Sequence, residues 1–347
     1  MGTSAYSKPA GRANKYFEPY MKDFQYADNI SNKTVVITGT TSGTGYALAR
    51  ECLKLKATVV CLNRDSPRVA TMEENLRKDT AEGTLKNIVC DLSDFSSVKN
   101  AAAELKQEYS KNGIDILVNN AGVMAVKDAP TKDGCCIQMQ VNHLSHFLLT
   151  SELLPLLKTA LDKRGDARIV NHSSNARNNG PYTNADIKYF GKNGGNLGGD
   201  KGGFAPFSGP RWKRYGETKV AALNFTYALR DRIEKSDKYI GVKVLCAHPG
   251  LSTTNLQVRT NADGGMGNMT CHSFMGYFAQ SRDDGALGII TCSLKKDVKT
   301  GEFYGPSNDM FGAPESLPEE KEKCSNEQGK KNLWDGSLES TGASYSF

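Results

Sequence analysis

The chain of 347 residues alternates short apolar runs with longer amphipathic stretches over most of its length. Strands that alternate with helices predict crossover connections and a parallel sheet. The runs are nearly continuous in Val, Ile and Leu, which indicates that helices cover both faces of the sheet. The sequence therefore predicts a single doubly wound α/β domain with a mostly parallel seven-stranded sheet. The predicted strands lie at 34–38, 58–62, 87–90, 114–118, 167–171, 242–247 and 301–305.

The same pattern divides the chain into three segments. Residues 1–32 form a polar N-terminal arm, 33–312 form the α/β domain, and 313–347 form a polar C-terminal tail. The tail contains a charged helical pattern with Leu333 and Trp334, which we expect to dock on the domain.

Composition excludes several classes of function. The formal net charge of +6 is scattered, so nucleic acid is not an expected partner. No apolar run is long enough to span a membrane, and no secretory signal is visible. The nine cysteines include no C-x-x-C pair, so we expect reduced thiols and a cytoplasmic or other reducing intracellular compartment. His143 and His146 have no evident third ligand, and no metal is expected.

The first strand-like run ends in a glycine-rich turn, TGTTSGTG at 38–45, which opens a helical pattern. Glycines here permit a tight turn and a close approach of the backbone to a ligand, and the helix N-terminus suits a pyrophosphate. The spacing differs from G-x-G-x-x-G, so a tight turn without a ligand is the alternative. The candidate cofactor-binding residues of this Rossmann-type turn are Gly39, Thr41, Ser42, Gly43, Thr44 and Gly45.

The end of the second strand indicates which cofactor is preferred. Folds that select NAD place a carboxylate there, whereas this chain has Asn63 followed by Arg64. A guanidinium binds a 2′-phosphate through charge-assisted hydrogen bonds, so the sequence favours NADP(H). The alternatives are a solvated Arg64 or an Arg64 that is paired with Asp65.

A tyrosine and a lysine four residues apart provide a candidate acid/base. Tyr215 and Lys219 lie on one face of a predicted helix. A free phenol has a pKa near 10, and a nearby ammonium is expected to lower it. Such a pair also arises by chance, and a structural role for Tyr215 is the alternative.

Taken together, the motifs resemble those of the short-chain dehydrogenase/reductase family over about 33–305. They occur in the order found in that family, and the chain is most similar to members of the retinol dehydrogenase, WW-domain oxidoreductase and protochlorophyllide reductase type. The motifs are TGTTSGTG at 38–45, NNAG at 119–122, RIVNHSS at 168–174, YGETK at 215–219 and HPGLSTTNL at 248–256.

The resemblance implies catalytic roles. Ser174, or its neighbour Ser173, would hydrogen-bond the substrate oxygen, and Tyr215 would be the general acid/base. Lys219 would lower the pKa of Tyr215 and bind the nicotinamide ribose. The backbone of Asn142 would support a water linked to Lys219.

The resemblance also implies further cofactor contacts and a substrate lid at about 255–280. The chain departs from the family pattern at 175–214, where the gap between Ser174 and Tyr215 is much longer and indicates a loop insertion. The insertion contains a glycine-rich stretch, and the lid is rich in methionine and aromatic residues. The insertion at 175–214 either forms a mobile cover over the substrate or lies on the surface without contacting the site. The implied contacts are Asn119, Ala121 and Gly122 with the adenosine and ribose, Asp91 and Leu92 with the adenine, and Pro249, Gly250 and Thr254 near the nicotinamide.

The expected function is NADP(H)-dependent hydride transfer to or from an apolar carbonyl or alcohol that resembles a retinoid, steroid or lipid. Reduction of a tetrapyrrole C=C bond and a non-catalytic NADP(H)-binding scaffold are the alternatives. The resemblance further suggests a homodimer formed through the long central helices.

Overall fold

The computed structural model describes residues 14–80, 82–178, 186–195, 197–201, 207–252, 256, 260, 263–265, 279–320 and 324–347. Eight strands form one sheet in the order β3-β2-β1-β4-β5-β6-β7-β8, and all pairs except β7–β8 are parallel. The predicted doubly wound sheet is confirmed. The strands are β1 Thr34–Thr38, β2 Thr58–Asn63, β3 Thr84–Val89, β4 Ile116–Asn119, β5 Ala167–His172, β6 Val242–Ala247, β7 Phe303–Pro306 and β8 Pro314–Leu317.

Helices pack on both faces because successive strand residues point in opposite directions. In β1, Val36 faces a core formed with α4, α6, α7 and α9, whereas Val35 and Ile37 face a core formed with α1, α2, α3 and α8. The helices are α1 Phe17–Lys22, α2 Gly43–Lys54, α3 Arg68–Asp79, α4 Phe95–Tyr109, α5 Ile137–Met139, α6 Ser145–Arg164, α7 Pro210–Glu234, α8 Arg282–Leu294 and α9 Glu327–Thr341.

Strand β8 is an eighth strand that the sequence pattern did not predict. It pairs antiparallel with β7 at the edge of the sheet, and its central residues Glu315 and Ser316 are exposed. An edge strand with solvent on one side needs no continuous apolar run. The sheet therefore extends to Leu317, beyond the expected domain boundary at 312.

The sequence pattern after the fourth strand predicts a long helix over roughly 133–160, and the structure shows that this helix is interrupted. A π-helical turn, Gln140–Leu144, lies between α5 and α6. Such turns insert one residue into a helix and often occur at functional sites. This turn carries Asn142.

Helix α9 docks on α6 and α7, as expected for the tail. The Trp334 ring lies 5.1 Å from that of Phe147, and the Arg232 guanidinium lies 3.8 Å from the Trp334 ring. A homodimer formed through this surface of the central helices would have to displace α9.

Strand order reverses between β1 and β4, which are neighbours in the sheet although β2 and β3 separate them in sequence. In doubly wound sheets, ligands bind in the crevice beyond the carboxyl ends of the strands at this point. Thr38 and Asn119 end β1 and β4, so the turn at 38–45 and the NNAG motif meet at the crevice.

Candidate active site

The glycine-rich turn leaves the N-terminus of α2 open. Gly39 and Gly43 have φ values of 72° and 66°, a region that glycine adopts without strain. A Cβ at Gly39 would lie 2.7 Å from that of Ala121, so the turn packs directly on the NNAG loop. Ser42 precedes α2 without a side-chain capping bond. The first N–H groups of α2 can therefore receive an anion.

Asn63 ties the turn to the neighbouring strands. Its Oδ1 accepts from the Thr40 N–H at 2.9 Å, and its Nδ2 donates to Thr40 Oγ1 and Asn87 Oδ1, both at 2.8 Å. The amide of Asn63 thus supports the turn, and the exposed Arg64 follows it at the edge of the crevice. The described residues include no ion pair between Arg64 and Asp65.

One cavity of about 460 Å³ brings most of the candidate residues together. Gly45 lies behind the turn, where a Cβ would come within 2.4 Å of the Asn120 amide. Thr254 lies outside the described residues. Asn119 and Asn142 do not line the cavity. The candidates that do line it are Gly39, Thr41, Ser42, Gly43, Thr44, Asn63, Arg64, Asp91, Leu92, Ala121, Gly122, Ser174, Tyr215, Lys219, Pro249 and Gly250.

Ser174, Tyr215 and Lys219 meet at the end of the cavity beyond β5. Ser174 lies beside Tyr215, and its hydroxyl lowers the pKa of the phenol. Lys219 Nζ lies 5.6 Å from the centroid of the Tyr215 ring and donates to the His172 carbonyl at 2.9 Å. The adjacent Ser173 is buried and donates to the Lys219 carbonyl at 2.7 Å. Of the two serines, only Ser174 has its hydroxyl beside the phenol.

The pKa values of this group differ from the sequence expectation. Burial raises the pKa of Tyr215 to about 12, against the smaller effect of the Ser174 hydrogen bond. Burial also lowers the pKa of Lys219 to about 8. The direction of the Tyr215 shift is opposite to the expected lowering, because burial disfavours the charged phenolate.

Asn142 supports the site from outside the cavity. Its Oδ1 accepts from the Val123 N–H at 2.7 Å, and its Nδ2 donates to the Val123 carbonyl and Thr218 Oγ1, both at 2.9 Å. Asn142 therefore joins the NNAG loop to the helix that carries Tyr215 and Lys219. Its carbonyl lies 3.2 Å from His146 Nδ1.

Asn119 joins the central strands of the sheet. Its Nδ2 donates to Thr150 Oγ1 at 3.1 Å and to Asn171 Oδ1 at 2.9 Å. This side chain is buried among those partners, so it supports the sheet beneath the crevice without contacting it.

The far end of the cavity is apolar. Gly250 has a φ of 59°, and a Cβ there would lie 2.3 Å from the Met310 carbonyl, so the β6 loop packs tightly on the segment after β7. Near Tyr215, the wall is formed by Met124, Ala176, Phe207, Trp212, Leu251, Leu256 and Met310.

The described part of the 175–214 insertion is held to the domain near its C-terminal end. Arg214 is buried and pairs with Asp128 and Asp200. Phe207 packs on Trp212 at 5.0 Å, and both rings line the cavity. The insertion therefore reaches the cavity, as an insertion that covers the substrate must. Most of the lid at 255–280 lies outside the described residues.

The polar residues of the cavity that sequence reasoning missed include Arg68 and His172. Arg68, in the first turn of α3, lines it together with Arg64. His172 places Nδ1 3.0 Å from Asn120 Oδ1, and burial lowers its pKa to about 3. The Asn120 amide nitrogen donates to the Thr38 and Gly39 carbonyls, so Nδ1 of the neutral His172 carries the proton. Two features of the sequence could have indicated these residues. Arg68 follows Arg64 by four residues, and His172 precedes Ser174 by two.

A sequence model of the family described as short chain dehydrogenase matches residues 33–185. Retinol dehydrogenase 12 of Mus musculus is 30% identical over 315 residues, which are 90% of this chain and 87% of that protein. The chain belongs to the short-chain dehydrogenase/reductase family. It is of the retinol dehydrogenase type and is an oxidoreductase that uses a nicotinamide cofactor.

Two further proteins are similar to this chain. An uncharacterised oxidoreductase of Schizosaccharomyces pombe is 31% identical over 235 residues, which are 67% of this chain and 64% of that protein. An uncharacterised protein from Mycobacterium paratuberculosis has a similar structure, with a TM-score of 0.69, 26% identity, and coverage of 97% of this chain and 100% of the other.

In the part of the chain that the structure describes, every helix is too short or too polar to cross a bilayer. Among the same residues, no group of three His, Cys, Asp or Glu side chains is placed to hold a metal ion.

Proposed function

We propose that this chain is an NADP(H)-dependent oxidoreductase that interconverts an apolar carbonyl compound and the corresponding alcohol, with Tyr215 as general acid/base. The observation that carries the proposal is that Ser174, Tyr215 and Lys219 line one cavity, which continues to the open N-terminus of α2.

The charges at the adenosine end support NADP(H) over NAD(H). Arg64 and Arg68 line the cavity beyond β2, where a ribose phosphate would lie if the pyrophosphate sat on α2. The same position holds Asn63 in place of the carboxylate that repels a 2′-phosphate. Two guanidinium groups favour the cofactor with the additional phosphate.

The walls near Tyr215 support an apolar substrate. The side chains there are aromatic and aliphatic, and the exposed Met310 stands at the rim. An adaptable wall of methionine and aromatic residues accepts a large apolar molecule without a charged anchor. We therefore propose a retinoid-like, steroid-like or other lipid-like carbonyl.

The chemistry follows from the protonation states. The bound nicotinamide would supply or accept the hydride. Tyr215, with its raised pKa, holds the proton that a developing alkoxide needs during reduction. Ser174 donates to the same oxygen, and that bond strengthens as negative charge develops there. Lys219 supplies positive charge that favours the phenolate left after proton transfer.

The decisive experiment is NADPH oxidation by the purified chain over retinoid, steroid, quinone and aliphatic carbonyl compounds, repeated with NADH. We expect turnover of an apolar carbonyl with NADPH as the better cofactor. Tyr215→Phe should abolish it. Tyr227→Phe is the matched control, because Tyr227 is buried on the same helix and does not line the cavity.

Other outcomes would contradict the proposal. The chain could bind NADP+ in a thermal-shift assay while Tyr215→Phe changes no reaction on the panel. That result would favour a non-catalytic NADP(H)-binding scaffold. If the chain instead reduces a tetrapyrrole pigment, compared with and without light, the substrate class is wrong.

A further inference from the structure

The C-terminal helix α9 reaches the back of the candidate active site. Leu333 is fully buried, and the Trp334 ring lies 5.1 Å from Phe147 and 6.3 Å from Phe225. Lys330 is buried and forms an ion pair with Asp231 of α7. The helix is therefore a firmly packed part of the domain, on the face of the sheet that holds α6 and α7.

One contact of α9 is made to the π-helical turn. Ser337 is fully buried, and its Oγ lies 2.8 Å from Nε2 of His143. The His143 ring packs among Phe147, Phe190 and Phe225 at centroid distances of 5.5 to 6.0 Å. Burial lowers the pKa of His143 to about 3, so the ring is neutral and exchanges one hydrogen bond with the serine.

His143 is the sequence neighbour of Asn142, and both lie in the turn Gln140–Leu144. The Asn142 side chain forms hydrogen bonds with the backbone N–H and carbonyl of Val123 and with the Thr218 hydroxyl. A Cβ at Gly122 would lie 3.1 Å from Asn142 Oδ1 and 3.8 Å from Lys219 Nζ. A rotation of the turn would therefore shift the NNAG loop against Lys219.

From these contacts, we propose that α9 is a positioning element of the active site, and that Ser337, through His143, fixes the turn that carries Asn142. A π-helical turn is rare and occurs mostly as a single turn inside an α-helix, frequently at a functional site. Ser337 is a positioning residue because it touches neither the cavity nor the phenol. Only the kinetic test of this inference rests on the proposed function.

The matched test compares two buried serines of α9. Ser337→Ala removes the bond to His143, whereas Ser340→Ala removes a bond to the Phe190 carbonyl in the insertion. We expect similar losses of melting temperature from the two variants. Ser337→Ala should lower kcat/KM with NADPH roughly 5- to 20-fold, the loss expected when one neutral hydrogen bond is broken. Ser340→Ala should change kcat/KM less than about twofold. Ser337→Thr, which keeps the hydroxyl, should recover most of the rate.

Hydrogen exchange supplies a readout that needs no turnover. Ser337→Ala should speed exchange of the amides at 140–146 in the chain without cofactor, and Ser340→Ala should not. In the unchanged chain, NADP+ should slow exchange at 140–146 and at 337–341, because coupling between two sites is reciprocal.

These readouts separate the two proposals. Absence of carbonyl turnover with intact exchange effects would overturn the proposed function alone. Equal effects of both serine variants on exchange at 140–146 would show that α9 is only structural. If Ser337→Ala does not fold, a lack of NADP+-dependent protection at 337–341 in the unchanged chain overturns the inference.

Discussion

The ammonium of Lys219 stands 5.6 Å from the centre of the Tyr215 ring, one turn away on α7. Both side chains are buried, and burial shifts both pKa values toward the neutral forms. The phenol is thus kept protonated, while the lysine titrates close to physiological pH. This arrangement suits proton donation during reduction more than proton removal from an alcohol.

The pH dependence of reduction should report Lys219. Its pKa is lowered to about 8, so the cation is present below pH 8 and is lost above it. We expect kcat/KM for NADPH, at a fixed carbonyl concentration, to be level from pH 6 to 7.5 and to fall above pH 8. Lys219→Arg keeps its positive charge at all these pH values, so its kcat/KM should be lower but should not fall above pH 8. A break near pH 8 that persists in Lys219→Arg would assign it to another group.

Replacement of Lys219 should separate stability from activity. Lys219→Met removes a buried cation and should raise the free energy of unfolding at pH 7 by on the order of 1–3 kcal/mol. The lysine pKa is lower in the folded chain than in the unfolded chain, so the unfolded state binds more protons between about pH 8 and 10.5. The wild-type chain should therefore gain stability over that range, and the advantage of the variant should shrink. Urea unfolding at pH 7 and 10 measures both values, and turnover should be lost throughout.

The sequence predicted the doubly wound sheet and the crevice beyond its strands because these depend on local patterns. Apolar runs and glycine turns fix β1, α2 and their junction, and the four-residue spacing fixes the shared face of Tyr215 and Lys219. Their pKa directions were not predictable, because burial is a property of the packed chain. The four-residue spacing shows in the sequence that Lys219 lies near Tyr215. The burial that removes water from both side chains does not show there.

Other features depend on contacts between distant parts of the chain. The turn at Gln140–Leu144 adds one residue to a helix, which hardly changes the apolar pattern of 133–160. Strand β8 is short and half exposed, so it lacks an apolar run. The bond between Ser337 and His143 joins residues 194 apart in sequence, and no spacing rule predicts such a pair.

The adenosine end of the cavity provides a test of cofactor selection. Arg64→Gln should weaken NADP+ binding about tenfold to a hundredfold, the loss of roughly 1.5–3 kcal/mol expected for a hydrogen bond to a charged group. Binding of NAD+ should change little, because it lacks the 2′-phosphate. Arg68→Gln should act in the same direction. Calorimetric titration of both nucleotides measures these constants, with the exposed Arg77→Gln as control on α3. Equal losses for both nucleotides would show that the arginine does not read the phosphate.

Glu217, between Tyr215 and Lys219, should reduce stability as the pH rises. Burial raises its pKa to about 7, and Asp186 adds to the shift, while Lys213 and Lys188 oppose it. The folded chain therefore holds a proton that the unfolded chain releases above pH 4.5, and stability falls as the pH rises from 4.5 to 7.

Glu217→Gln should consequently raise the free energy of unfolding at pH 8 by on the order of 1–3 kcal/mol, with a much smaller effect at pH 4.5. Glu234→Gln, at an exposed position of the same helix, should change neither value measurably. Thermal unfolding of the three chains at the two pH values tests this difference. A gain of equal size at both pH values would mean that the glutamine packs better, and that the ionised carboxylate carries no cost.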